Sequence, residues 1–266
     1  LIIFFLISTN LFAEYEIEKG YFKRKKYSFF SGCDEVGRGP LAGPVVGATV
    51  TLFPHLLPKS VKSQGIEKVL EPFLELGVGD SKSLTEKKRI SILNLLGIEV
   101  PKLKPSKRQV FTGKGLEAFT YCIEEVSPLE IDKVNIFQAS LMAMKKSFLR
   151  SLIYENKALK DFVENNGRGV LFVDGKYPPK GLEAVAYSEP VIKGDSKVVL
   201  IAVASILAKE YRDHLMRTFD SEYPGYGLAK HKGYPTKAHY EALDKIGPSR
   251  IHRKTFKGVK EFYENL

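Results

Sequence analysis

Two adjacent carboxylates, Asp34 and Glu35, lead directly into a glycine-rich turn that carries one arginine, Gly37-Arg38-Gly39. The aromatic, β-prone residues 27–33 predict a strand before the acids, and residues 45–53 predict the next strand. Because side chains alternate along a strand, both carboxylates can face one site only where the strand ends and the glycines let the backbone bend. Carboxylate oxygens suit Mg²⁺, and N–H groups bared by glycine suit a phosphate or a sugar hydroxyl. We therefore predict a metal site beside a phosphate-contacting turn.

Two other interpretations compete with a metal site at this turn. Glycines beside acids also form ordinary turns, and the spacing Gly37-x-Gly39-x-x-Ala42 matches the dinucleotide-binding fingerprint. Pro40 and Pro44 interrupt the helix that this fingerprint requires, no acid follows about twenty residues later, and the paired acids would repel a pyrophosphate. The dinucleotide interpretation is therefore disfavoured, whereas an ordinary turn stays open from the glycines alone.

The chain of 266 residues is strongly basic, with a formal net charge of +10 and a pI near 9.3. Such a charge favours a polyanionic partner, either nucleic acid or an anionic membrane. The excess is concentrated between residues 230 and 260, where nine lysines and arginines stand against two acids and alternate with tyrosine, phenylalanine and histidine. A solvated surface can also carry such a run, but the interleaved aromatic residues favour a surface that binds a nucleic-acid strand.

Cys33 and Cys122 lie far apart in the sequence and outside any paired Cys/His spacing. We therefore expect buried thiols in a reducing compartment, the cytoplasm, and neither a disulfide framework nor a zinc site. Residues 1–13 are apolar but too few to span a membrane, and we expect no membrane partner. Residues 14–26 read as a mobile basic lead-in, so residues 1–26 are expected to lie outside the fold.

Further segments predict alternating strands and helices. Thr85 is placed to cap a helix that Gly97 ends, so Asp80-Ser81-Lys82 precedes a helix N-terminus, a natural place to hold phosphate. A simple capping turn explains this loop equally well. The other predicted elements are a loop over residues 54–65, a strand over 115–126, a helix from Ser127 to about residue 154 with a capping box at Glu130, and a strand over 187–192.

Two more acids, Asp174 and Asp195, lie beside predicted elements in the second half of the chain. Asp174 falls near the end of an apolar strand predicted over residues 169–176, and Asp195 precedes a helix predicted from residue 197 to about residue 219. Alone, the first suits an Asp-Gly turn and the second a helix cap. Together with the first pair they place acids where α/β sheets collect ligands. Four converging carboxylates would bind two metal ions and support phosphodiester cleavage.

The sequence resembles the ribonuclease HII family of the ribonuclease H superfamily over roughly residues 28–257. An arginine between the two glycines, Arg38, resembles type HII more than type HIII. An apolar leader and Ser83, where a second lysine is common, depart from the family pattern. The matching stretches are residues 32–46, Asp80-Ser81-Lys82, Asn135-Ile136, Val173-Asp174-Gly175, Lys193-Gly194-Asp195, residues 204–209 with Arg212-Asp213, residues 231–234 with Thr236-Lys237 and His239, and Gly247-Pro248-Ser249 with His252-Arg253.

The resemblance implies an α/β fold, namely a ribonuclease H-like mixed β-sheet flanked by helices, with a helical C-terminal extension. It implies that four acids are catalytic and hold Mg²⁺ or Mn²⁺, as two ions in the catalytic complex: Asp34, Glu35, Asp174 and Asp195. It also implies a set of residues that read a ribose 2′-hydroxyl, which distinguishes RNA from DNA: Gly37, Arg38, Gly39 and Tyr234. Arg38 and Lys82 would hold phosphates, and Lys209 is a further implied substrate-binding residue.

We accordingly expect a catalytic domain over residues 27–222 and a basic substrate-binding segment over residues 223–266. The implied reaction is endonucleolytic hydrolysis of the RNA strand of RNA–DNA hybrids, and cleavage 5′ to ribonucleotides embedded in duplex DNA, leaving a 5′-phosphate and a 3′-hydroxyl. Such cleavage would begin ribonucleotide removal and support DNA replication and repair. The expected substrates are these two nucleic acids, the expected state is a monomer, and a sliding-clamp-type partner is left unassigned.

Two other functions compete with this interpretation. A non-catalytic binder of hybrids would use the same basic segment, but four acids near phosphates would then weaken its affinity. A nucleotide-dependent oxidoreductase would have to bind NAD.

Overall fold

The computed structural model describes residues 16–78, 84–153 and 167–264. Within these residues a mixed six-stranded sheet has the strand order β3-β4-β2-β1-β5-β6. Strands β1 to β4 pair antiparallel, whereas β5 runs parallel to β1 and β6 runs parallel to β5. This confirms the expected mixed α/β sheet. The strands are β1 (Phe30–Val36), β2 (Val45–Leu52), β3 (Gln109–Val110), β4 (Phe119–Val126), β5 (Gly169–Asp174) and β6 (Ala186–Val191).

Two long helices, α6 (Ile136–Leu152) and α7 (Val199–Glu222), cover the two faces of the sheet. On one face, Ser147 and Ser151 exchange hydrogen bonds with threonines of β2. On the other face, a Cβ atom on Gly32 would collide with the backbone of Leu200 and Ile201, so only glycine allows this close approach. The helices of the described residues are α1 (Glu16–Lys23), α2 (Lys59–Lys62), α3 (Ile66–Glu75), α4 (Glu86–Leu95), α5 (Pro128–Val134), α6 (Ile136–Leu152), α7 (Val199–Glu222), α8 (Leu228–His231), α9 (Lys237–Ile246) and α10 (Glu261–Glu264).

Strand β1 begins and ends three residues later than the sequence predicts. Asp34 and Glu35 therefore lie inside β1, paired with Ala48 and Gly47 of β2. The parallel pairing with β5 ends earlier, at Cys33 opposite Val173. The sequence-based prediction failed because antiparallel pairing with β2 continues the strand to Val36, beyond the point where the parallel neighbour stops.

The N-terminal segment is partly folded, which corrects the expected lead-in over residues 14–26. Glu16–Lys23 forms α1, and its buried Glu18 accepts a hydrogen bond from the backbone N–H of Leu200 at 3.2 Å. The Tyr21 hydroxyl donates to Glu189 at 2.5 Å, and its ring packs edge-on against Phe172. These tertiary contacts lie far away in sequence, so local composition did not reveal them. Residues 1–13 lie outside the described residues.

The helix predicted from Ser127 is interrupted after its second turn. Ser127 and Glu130 form the expected capping box. Asn135 then adopts a positive φ of 69°, ends α5, and caps α6 by accepting a hydrogen bond from the N–H of Gln138. A short polar residue tolerates this backbone conformation and can replace the lost helix bond, so one predicted helix becomes two.

Other boundaries differ modestly from the sequence-based predictions. Thr85 caps α4 by accepting from the N–H of Lys88, as expected. The strand predicted from residue 115 begins at Phe119, and the loop predicted over 54–65 contains a 3₁₀ turn and the short helix α2. Both cysteines are free and buried, as expected. Among the described residues, no helix is long and apolar enough to cross a membrane.

The C-terminal segment packs onto the turn that follows β1. Ala42 forms a β-bridge with His252. Leu41 and Ala42 belong to a buried cluster with Met216 of α7 and with residues from the C-terminal segment, including Leu243. This packing makes residues 223–264 one wall of the site at the end of β1.

Candidate active site

Parallel pairing brings Asp34 and Asp174 to the same edge of the sheet. The last paired residues are Cys33 and Val173, so each acid is the next residue on its strand. Alternation along β1 directs Asp34 toward α7, where the Ser205 hydroxyl hydrogen-bonds its carboxylate. Glu35 points to the opposite face, where it and Asp174 line a cavity of about 90 Å³ against α6.

Three of the predicted acids interact electrostatically. Burial raises the pKa of Asp34 well above its usual range, and the neighbouring charges of Glu35 and Asp174 raise it further. Burial also raises the pKa of Glu35 to about 7; the Arg38 guanidinium opposes this shift and Asp174 adds to it. Like charges held together in a buried place disfavour ionisation and attract a cation.

Asp195 lies beside this group, on the short 3₁₀ turn Gly194–Ser196. The N–H of Gly194 donates to Asp174 Oδ1 at 2.7 Å, which ties the turn to the end of β5. Asp195 is buried and does not point into bulk water. The structure therefore gathers the elements that carry all four predicted acids at one corner of the sheet.

The acids suit a hard divalent cation by donor type and by charge. Burial and the neighbouring carboxylates raise the pKa values of Asp34 and Glu35, and a bound cation would oppose that shift. Across residues 16–78, 84–153 and 167–264, however, no three His, Cys, Asp or Glu side chains form a group that could hold a metal ion as it stands. The acids thus lie at the same corner of the sheet, but among the described residues they are not close enough together to coordinate a metal ion as they stand.

The turn after β1 lies beside Tyr234. A Cβ atom on Gly39 would contact the Tyr234 ring at 3.5 Å, so the predicted turn and the predicted tyrosine are neighbours. Arg38 is about half exposed and reaches back to Glu35, with Nη1 3.4 Å from Oε1. The turn therefore lies between Tyr234 and Glu35.

Of the two lysines implied by the resemblance, Lys209 lies within the described residues. Lys209 is partly exposed on α7 and forms an ion pair with Asp213 one turn later, at 2.7 Å. Its substrate-binding role stays a prediction. Lys82 and the rest of the motif Asp80-Ser81-Lys82 lie outside the described residues.

Sequence reasoning missed Ser205 and two buried arginines, Arg212 and Arg253. Ser205 holds Asp34, and both arginines hydrogen-bond the backbone between Gly37 and Pro44. All three fall inside or beside stretches that match the family, but a single sequence gives no sign of their contacts. Only the tertiary structure assigns them to the site.

Comparisons with known proteins agree with this architecture. The family model described as Ribonuclease HII matches residues 31–259. The chain is 38% identical to Ribonuclease HII of Vibrio parahaemolyticus over 235 residues, covering 88% of this chain and 87% of that protein. It is 39% identical to Ribonuclease HII of Francisella tularensis subsp. tularensis over 229 residues, covering 86% and 95%.

The fold is also similar to a solved structure. The ribonuclease H2 of Pyrococcus horikoshii OT3 superposes with a TM-score of 0.58 at 23% identity, covering 89% of this chain and 98% of that one. The match between family model and sequence spans the sheet, the corner that carries the acids, and nearly all of the C-terminal segment. The chain belongs to the ribonuclease HII family and is a ribonuclease H-type nuclease.

Proposed function

We propose that this nuclease hydrolyses the RNA strand of RNA–DNA hybrids and cleaves duplex DNA on the 5′ side of embedded ribonucleotides. The proposed products are a 5′-phosphate on the downstream piece and a 3′-hydroxyl on the upstream piece. The main support is the buried group of like charges at the ends of β1 and β5, directly beside an exposed glycine turn and Tyr234. Acids in that place suit a metal-assisted reaction at phosphorus, and the turn suits recognition of a 2′-hydroxyl.

Asp34, Glu35, Asp174 and Asp195 would hold Mg²⁺ or Mn²⁺, and we propose two ions in the complex with substrate. The solved Bst-RNase HIII, 17% identical to this chain, is described in complex with Mn²⁺. When bound, the ions would supply Lewis-acid stabilisation and an activated water. Ser205 fixes the orientation of the Asp34 carboxylate, and the Gly194 N–H fixes that of Asp174.

The remaining proposed residues bind and orient the substrate. Arg38 is exposed beside Glu35 and can reach a phosphate with a two-pronged hydrogen bond. The N–H groups of the turn and the Tyr234 hydroxyl would contact the ribose. Lys82 and Lys209 would act as point charges toward the sugar-phosphate backbone.

We also propose that the protein acts as a monomer in the cytoplasm and that a sliding clamp is the class of protein partner to examine. A solved PCNA:RNase HII complex from Archaeoglobus fulgidus, 18% identical to this chain with a TM-score of 0.55, shows such an assembly for that protein. A clamp added at increasing concentration should raise cleavage of circular duplex DNA that contains an embedded ribonucleotide. No change in rate and no co-elution would exclude it.

The decisive experiment uses a labelled duplex with a single ribonucleotide, incubated with Mg²⁺, Mn²⁺ or EDTA. We expect one cut on the 5′ side of the ribonucleotide with a metal and none with EDTA. Asp34→Asn and Asp174→Asn should lower kcat by more than the roughly 100-fold that loss of an outer-sphere partner can cost. Both should keep or improve binding, because a charge that repels phosphate is removed.

Glu99→Gln is the matched control, since it neutralises an exposed acid paired with Lys102 away from the site. Unchanged product formation by the two asparagine variants would refute the proposal. Binding without cleavage by the wild-type protein under every metal would instead favour the non-catalytic binder.

A further inference from the structure

Two fully buried arginines lie beneath the turn that follows β1. Arg212 comes from α7 and Arg253 from the C-terminal segment, and both have 0% exposure. In the described part of the chain neither forms an ion pair with a carboxylate. A buried cation without an acid must be satisfied by other acceptors, and here these are backbone carbonyl oxygens.

Arg253 binds three carbonyl groups of the turn. Its Nη2 donates to Gly37 O at 2.6 Å, its Nη1 to Arg38 O at 3.0 Å, and its Nε to Gly43 O at 3.0 Å. The donors of one rigid guanidinium therefore fix two successive peptide groups and the end of the turn.

Arg212 supports the same loop from the other side. Its Nε and Nη2 each donate at 3.1 Å, to Pro44 O and Ala42 O. Its Nη1 donates to Lys232 O at 3.0 Å, two residues before Tyr234. The turn and the segment that carries the tyrosine are thus held on one buried framework.

The geometry of the trans peptide means that these contacts also fix the direction of the N–H groups of Arg38 and Gly39. The C=O and N–H of a trans peptide point in opposite directions, and no cis peptide occurs in the described residues. Because the carbonyls of Gly37 and Arg38 point inward to Arg253, the N–H groups of Arg38 and Gly39 point outward. Both residues are exposed, and neither N–H donates to another described residue.

We propose that Arg253 is a positioning residue that sets how the enzyme discriminates a ribose from a deoxyribose: it holds the peptides Gly37–Arg38 and Arg38–Gly39 so that their two N–H groups face the substrate. This inference rests on the proposed function, in which that turn reads the 2′-hydroxyl. Arg253 itself touches no substrate, because it is buried behind the turn.

Arginine suits this role better than any other side chain. Its planar fork presents several donors at once, whereas a lysine ammonium is a point donor that cannot match three fixed carbonyls. Burial lowers the pKa of Arg253 to about 9, and the charge of Arg212 acts in the same direction, so the guanidinium stays protonated at neutral pH.

The test measures binding without cleavage, in EDTA, to two duplexes that differ by one 2′-hydroxyl. For Arg253→Lys and Arg253→Met we expect the ratio of the two affinities to fall about tenfold from the wild-type value, the size expected for two misplaced hydrogen bonds. Affinity for the all-DNA duplex should change much less. In Mg²⁺ the same variants should lose kcat/KM on the single-ribonucleotide duplex.

Arg250→Met is the matched control, because Arg250 is an exposed arginine of the same segment that contacts Tyr223. We expect it to weaken both duplexes equally and to keep the ratio. If the folded Arg253 variants also keep the wild-type ratio, the inference is wrong while the proposed function stands. If the wild-type protein shows no preference for the ribonucleotide, the proposed function itself fails.

A measurement on the wild-type protein covers the case in which both Arg253 variants unfold. The amides of Arg38 and Gly39 should exchange with solvent quickly in the free protein. They should become protected by the single-ribonucleotide duplex and not by the all-DNA duplex. Slow exchange in the free protein, or equal protection by both duplexes, would overturn the inference.

Discussion

At the residue scale, the site depends on charges that the fold forces together. Asp34 is almost wholly buried, and its carboxylate accepts hydrogen bonds from the Ser205 hydroxyl and from the N–H of Glu35. Arg38 offsets part of the charge of Glu35 from an exposed position. Burial and mutual repulsion raise the pKa values of Asp34 and Glu35, and carboxyls perturbed in this way are candidates for a functional site.

Replacing Asp174 should lower the pKa values of Glu35 and Asp34. Asp174→Asn removes one of the charges that raise the pKa of Glu35, so we expect that pKa to fall below its value of about 7, in protein kept free of metal. The pKa of Asp34 should fall as well. Carboxyl ¹³C NMR titration measures both, with Asp244→Asn on α9 as the control. Titration curves that match the wild type would mean that Asp174 does not share this corner electrostatically.

Gly37 should tolerate no side chain. Its φ is +93°, and a Cβ atom there would overlap the Arg212 side chain. Gly247 shares the positive φ but has open space around it. Gly247→Ala should therefore cost about 1–3 kcal/mol from backbone strain alone, whereas Gly37→Ala adds a clash and should cost about 1–3 kcal/mol more. Urea unfolding measures both, and equal losses would show that the overlap is relieved without cost.

At the element scale, the features that the sequence could predict are those with local causes. The capping box at Ser127 and the cap at Thr85 depend on residues three positions apart, and both form as expected. The break at Asn135 escaped prediction because a positive φ in a non-glycine residue has no strong sequence signal.

The sequence predicted the corner that holds the acids only because several acids fall beside the ends of predicted strands and helices. The contacts behind it join residues far apart in the chain. Arg253 binds a carbonyl 216 positions earlier, and Glu18 binds an N–H 182 positions later. Nothing in either local sequence reports such a partner, so the supporting framework of the site had to come from the structure.

Helix α1 should make stability depend on pH. Burial raises the pKa of Glu18 from 4.5 to about 8. Between these values the unfolded chain releases a proton that the folded protein keeps, so this group lowers the free energy of unfolding as pH rises. The effect is absent below about pH 4.5 and complete above about pH 8. We expect Glu18→Gln to gain stability relative to the wild type from pH 5 to pH 8.5.

Urea unfolding at several pH values measures this difference. Glu16→Gln, which removes an exposed carboxylate from the same helix, is the control and should show no comparable gain. A constant difference between Glu18→Gln and the wild type would mean that the carboxyl of Glu18 reaches water.

At the scale of the whole molecule, one segment both completes the fold and supplies the positive surface. Buried side chains of the C-terminal segment (residues 223–264) pack against Leu41, Ala42 and Met216. His252 of this segment also forms a β-bridge with Ala42. The lysines of the same segment remain outside: Lys237, Lys245 and Lys257 are exposed. The segment therefore supports the turn after β1 through buried contacts, and its exposed lysines place positive charge on the surface.

We therefore predict that replacing the exposed lysines lowers the affinity for nucleic acid without changing the preference for a ribonucleotide. Neutralising Lys237, Lys245 and Lys257 to glutamine should flatten the dependence of log K on log salt by up to about 0.9 for each phosphate that these lysines neutralise in the wild-type complex. Affinity should fall equally for the all-DNA and single-ribonucleotide duplexes, because phosphate contacts carry no information about the sugar. Neutralising Lys59, Lys62 and Lys68 of α2 and α3 removes the same charge elsewhere and should leave the slope closer to the wild type. An equal change from both triple variants would mean that net charge, and not the C-terminal segment, drives binding.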